Sequence, residues 1–103
     1  MMIVTTESIH EEHYQVLGLV RGCSAYSKNA VTDIGQAFKS VVGGELKSYS
    51  DLMEMASATA TEKMEAQAEA LGADAIIGVS YATMSMTDGA PAVIASGTAV
   101  KLA

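Results

Sequence analysis

Apolar and polar positions along the chain fall into segments with two different periods. Met2-Ile3-Val4-Thr5-Thr6 is rich in β-branched residues and predicts a short strand, and the polar stretch from Glu7 to Glu12 interrupts it. From His13 to Tyr26 the period is two. Tyr14, Val16, Gly18, Val20 and Gly22 fall on one face, with Leu17, Leu19, Arg21 and Cys23 on the other. Both faces are substantially apolar, which predicts a strand covered on both sides. Gly18 and Gly22 are expected to mark a bulge or a close approach of another backbone.

The period then changes to that of a helix. Asn29 can cap a segment in which Val31, Ile34, Phe38 and Val41 or Val42 recur at helical spacing, with Asp33 in the first turn and Gly43-Gly44 as the stop. A second helix is announced by Ser48-Tyr49-Ser50-Asp51, where Ser48 and Asp51 have the spacing of a capping box and Ser50 is a competing cap. Its stripe runs Leu52, Ala56, Ala60, Met64, Ala68, Leu71, mostly small residues that permit close packing on a sheet. Glu54, Glu62, Lys63, Glu65 and Glu69 lie off the stripe, and Gly72 is placed to end the helix in the left-handed conformation.

The last third reads as a hairpin. Ala75 to Met86 forms one strand, Asp88-Gly89 the turn, and Ala92 to Val100 the return, with Pro91 at its start. The predicted order is β-β-α-α-β-β in an α+β fold: one domain over residues 1–103, with a mainly antiparallel sheet packed against two helices.

Composition adds a second expectation. A chain of 103 residues buries only about two-thirds of the surface its unfolded form exposes. Half of its residues are apolar, and mean hydropathy is +0.26, although Trp is absent and Phe occurs once. That is more apolar surface than a small monomer easily hides, which favours a homo-oligomer. Six basic against twelve acidic side chains give a net charge of −6, which disfavours nucleic acid and anionic lipid as partners. No run of about 18 apolar residues or basic-then-apolar leader is present, so neither membrane span nor signal peptide is expected, and the chain is placed in the cytoplasm. The single Cys23 fits a reducing compartment and reads first as a small buried hydrophobe.

Several segments carry a resemblance. Val16-Leu17-Gly18-Leu19-Val20-Arg21-Gly22, Asp33, Val42-Gly43-Gly44-Glu45 with Tyr49 five residues after Gly44, Leu71 to Val79, and Ser96-Gly97-Thr98-Ala99-Val100 together resemble the YbjQ-like family of small bacterial and archaeal proteins. The match covers almost the whole chain in the right order. The resemblance implies a compact β/α subunit, a homopentameric ring and heavy-metal binding. The matching segments are dominated by Gly, Val, Ala and Ile and contain no cluster of metal ligands.

Candidate chemistry is sparse. Both histidines lie in His10-Glu11-Glu12-His13, whose spacing is not that of the helical zinc-protease motif. On an extended strand residues three apart point to opposite faces, so only a turn would bring the imidazoles together. Two histidines and a carboxylate can hold zinc, nickel or copper with one position open; a solvated turn explains the same residues. Cys23 is the third candidate metal ligand. Arg21 shares its strand face, where the cation would favour the thiolate or pair with a carboxylate at a subunit boundary. Gly43 and Gly44, with Lys47 nearby, would contact an anion or simply stop a helix, and Tyr49 would anchor that loop or line an interface pocket. Met53 and Met64 read as core filling, while Met84 and Met86, on one strand face, suit core or interface.

No nucleophile elbow or base-and-orienter pair is present. The expectation is a non-enzymatic homo-oligomer, a pentamer, binding a divalent transition metal or a small ligand at subunit boundaries. The rival is a structural or protein-interaction module with no specific metal site.

Overall fold

The computed structural model describes residues 1–10, 13–25, 49–87 and 90–103. Their elements are β1 (Met2–Ile3), β2 (Tyr14–Ala25), α1 (Tyr49–Ala70), β3 (Ala75–Thr87) and β4 (Ala90–Leu102). The four strands make one sheet in the order β1-β3-β4-β2, and α1 packs on one face of it. The fold is α+β. The two long pairings, β3 with β4 and β4 with β2, are antiparallel, whereas β1 runs parallel to β3, so the sheet is mixed. The helix predicted from Asn29, its Gly43-Gly44 stop and the predicted Asp88-Gly89 turn lie outside the described residues; Thr87 and Ala90 pair with each other.

The helix seats on the sheet through small residues. Ala56, Ala60, Met64 and Ala68 recur every four positions and are fully buried, as the stripe predicts. Leu52 is only half-buried, and Leu71 is exposed because it follows the last helical residue. Met55, which the stripe omits, is buried beside them, and Met53 packs against the same core from a half-buried position. Opposite them, Gly22 is where the two backbones meet. A Cβ at Gly22 would lie 2.1 Å from the Ala60 carbonyl oxygen and 2.6 Å from the Met64 amide nitrogen, so only glycine leaves room for this turn of α1.

At its far end α1 closes as expected. Gly72 has φ 80°, its N–H donates to the Glu69 carbonyl at 2.9 Å, and the Ala73 N–H donates to the Ala68 carbonyl at 3.0 Å. That pair of bonds is a Schellman cap, which satisfies carbonyls the helix leaves open. Asp74 then fastens the two ends of the hairpin: its N–H donates to the Val100 carbonyl and its Oδ2 accepts the Leu102 N–H, both at 2.9 Å.

Gly18 marks a bulge, one of the two roles expected of it: the register against β4 shifts between Val16 and Gly18. The bulge moves Leu17 to the helix-side core with Val20 and leaves Val16 exposed, although period two alone groups Val16 with Val20. β3 has its own shift between Ile77 and Ser80, with Gly78 at φ 61°.

The second face of the sheet divides into two halves. Ala75, Ile77 and Val100 are buried under Val4, Ile9 and Tyr14. Beyond them Leu19 is 68% exposed, Met84 61% and Ile94 41%. For the described residues the expectation of β2 covered on both sides is therefore corrected: α1 covers one face, and beyond the bulge none of them buries the other.

Candidate functional site

The open half of the second face is built from cross-strand rows. Cys23 stands opposite Ile94, which faces Ala82; Arg21 stands opposite Ser96, which faces Ser80; Leu19 stands opposite Thr98, which faces Ile77. The Ser80 and Ser96 hydroxyls are 3.4 Å apart. Arg21 and Cys23 share a face, as their spacing predicts, because the residues between and beyond them, Gly22 and Ser24, are buried against the helix side. Cys23 is exposed, not a buried hydrophobe, since position 23 falls on the face α1 does not reach.

The outer edge of β2 is closed by side chains of α1. Gln67 Oε1 accepts the Arg21 N–H at 2.8 Å, and Lys63 Nζ donates to the Cys23 carbonyl at 3.0 Å. Two residues one turn apart thus occupy two of the backbone groups that an added strand would use. Helical period alone puts Lys63 off the stripe and marks no role for Gln67. The available signal was their four-residue spacing along one flank of the small-residue stripe.

The other candidate donors lie at the opposite end of the strand. Ile9 and Tyr14, which neighbour His10 and His13, pack on the same Ala75-Ile77-Val100 cluster, so the fold brings both histidines to one end of the sheet. His10 and His13 are exposed there, and the His13 carbonyl accepts the Ala103 N–H at 2.9 Å. Cys23 is ten positions from His13 along β2, roughly 30 Å at the usual strand rise. One copy of the chain therefore does not unite Cys23 with the histidines. Among the described residues no grouping of three or more His, Cys, Asp or Glu side chains is placed to hold a metal ion. Gly43 and Gly44, like Glu11 and Glu12, lie outside the described residues, and Tyr49 supplies the first residue of α1.

Among the methionines, Met64 is core, whereas Met84 projects from the open face in the row of Ala92. Among the described residues no helix is long and apolar enough to cross a membrane.

Comparison with known proteins gives a consistent picture. The family model described as "Putative heavy-metal-binding", of YbjQ type, matches residues 1–103. A UPF0145 protein of Alkaliphilus metalliredigens is 44% identical over 101 residues, 98% of either chain. One from Clostridium novyi is 43% identical over 102 residues, 99% of each, and one from Thermotoga maritima is 43% identical over 103 residues, 99% of this chain and 97% of its own. A crystal structure of a protein of unknown function from Pediococcus pentosaceus superposes with a TM-score of 0.63 over 100% of this chain and 98% of that one. At 20% identity that likeness bears on the fold alone.

Proposed function

This chain belongs to the YbjQ-like family, and from that premise we propose that it is a non-enzymatic cytoplasmic protein that assembles into a homopentameric ring and binds a heavy-metal ion or a small ligand where subunits meet. One observation carries the reading. The candidate donors are exposed and divided between the two ends of β2, so a site that uses both the thiol and the imidazoles draws them from more than one copy. A thiolate and two imidazoles suit zinc, nickel or copper, which take sulfur and nitrogen donors at about 2.0–2.3 Å. Leu19, Ile94 and Met84, exposed on the same face as Cys23, supply apolar surface of the kind that subunits cover.

Assembly and binding are tested separately. Native mass spectrometry and light scattering are expected to report five copies; a monomer removes the reading. Metal analysis of the untagged protein is then followed by calorimetric titration with zinc, nickel and copper ions. Wild type is expected to bind more tightly than Cys23→Ser and than His10→Ala/His13→Ala. Equal, millimolar-weak binding in all three proteins would leave the interaction module in its place, and that reading expects partner binding indifferent to chelator.

A further inference from the structure

We propose that residues 2–9 form a detachable strap, which opens and closes as a unit over a sheet that stays folded and thereby sets how much apolar surface the second face presents. This goes beyond the binding reading and does not depend on it.

Among the described residues the strap's backbone is held by β3 alone. Met2 and Ile3 pair with Ala75 and Ile76, the Val4 N–H donates to the Ile76 carbonyl at 2.9 Å, the Val79 N–H to the Val4 carbonyl at 3.1 Å, and the Gly78 N–H to the Thr6 carbonyl at 2.7 Å. Gly78 and Val79 sit in the β3 bulge, where the register against β4 is interrupted, so the bulge turns its amides to the strap. Of the side chains, Val4 and Ile9 lie half-buried on Ala75, Ile77 and Val100, and Ile3 packs at the margin of the helix-side core.

Among the described residues, the helix-side core and the two long ladders are built mainly without these contacts. The helix-side core joins Val20, Ala56, Ala60, Met64, Val93, Ala95 and Ala99, and both long ladders run through β4, on the side of β3 away from the strap. Each residue held in the strap gives up backbone freedom, against a few hydrogen bonds of modest net strength and side chains only half removed from water. Such segments occupy the low-stability end of local opening. When the strap lifts, Ala75, Ile77 and Val100 lose the cover of Val4 and Ile9 and keep that of Tyr14. They lie in the rows of Val16 and Leu19, so the open field of Leu19, Ile94 and Met84 extends toward the histidine end of the sheet.

Native-state hydrogen exchange on the full chain tests this. The Gly78 and Val79 amides are expected to exchange at least about 100-fold faster than amides of the β2–β4 ladder, by a route insensitive to low denaturant. In Val4→Asp/Ile9→Asp the same two amides are expected to exchange about tenfold faster again, with the ladder unchanged. If Gly78 and Val79 exchange with the ladder amides in wild type, at the same rate and with the same denaturant dependence, the strap is part of the global folding unit and the proposal fails. The wild-type measurement decides the matter even if the double variant does not fold.

Discussion

On the helix side of the sheet, Gly22 admits the Ala60–Met64 turn of α1 down to backbone contact, whereas on the other side Leu19, Ile94 and Met84 stand in solvent beside a patch closed by Val4, Ile9 and Tyr14. The same strands supply both faces. Along β2 the buried positions carry Val20, Gly22 and Ser24, and the alternate ones carry Leu19, Arg21 and Cys23. The difference teaches that apolar size is not what marks the core here. The tightest contact is made by the smallest residues, because depth of approach is set by what is missing at Gly22 and at the alanines of α1; large side chains fall on both sides, Met64 and Ile76 buried and Leu19, Ile94 and Met84 facing out. This is the face on which the proposed contact between copies would form.

The comparison is broken most forcefully at Gly22. Gly22→Val adds three carbons where a Cβ alone would meet the Ala60 carbonyl at 2.1 Å, and neither partner atom belongs to a side chain that can swing away. Urea unfolding is expected to show a loss of about 4 kcal/mol or more. A loss below about 1 kcal/mol would mean that α1 does not rest on β2. Met64→Ala, which removes a fully buried side chain from the same contact and leaves a cavity, is expected to cost about 3 kcal/mol.

The patch under the strap is intermediate. Ile77 is buried, but its cover consists of half-buried side chains, so Ile77→Ala is expected to cost about 2 kcal/mol, at the low end for such truncations, because the strap can settle onto the smaller residue. A cost equal to that of Met64→Ala in the same urea series would show that the strap packs as rigidly as the helix does.

How much of this was legible in the sequence follows the range of the interactions involved. Gly72 and the cap it makes, the stripe Ala56-Ala60-Met64-Ala68, the hairpin and the paired meanings of Gly18 and Gly22 depend on residues close in sequence or on period alone, and they were readable. Three features depend on partners distant in the chain and were not. They are the change of face that the Gly18 bulge imposes on the residues before it, the parallel pairing of the first strand with β3, and the placing of Cys23 on the face the helix leaves open. The family resemblance has the same character. Val16 to Gly22 encodes a bulge and a helix seat, and Leu71 to Val79 encodes a cap, the Asp74 clamp and the β3 bulge, so those segments specify the fold of one chain. The candidate donors were nameable as residue types, but spacing could not reveal that β2 carries Cys23 to one end of the sheet while the histidines stay at the other.

The smallest stability effect is expected at Leu19, and it separates the two faces most cleanly. Leu19 is 68% exposed, so Leu19→Ser gives up little burial within one copy of the chain. At dilution low enough to hold the protein as single copies, its unfolding free energy is expected to change by no more than about 0.5 kcal/mol, against several for the buried positions across the sheet. Self-association is expected to respond in the opposite order. If the row of Leu19, Thr98 and Ile77 is covered by a neighbouring copy, a hydroxyl placed there goes unpaired at the boundary, and sedimentation across a concentration series should show assembly weakened about tenfold or more. Gly22→Val would instead lose assembly and folding together. A Leu19→Ser protein that assembles as wild type does would show that copies meet elsewhere, and would leave this face open to a different partner.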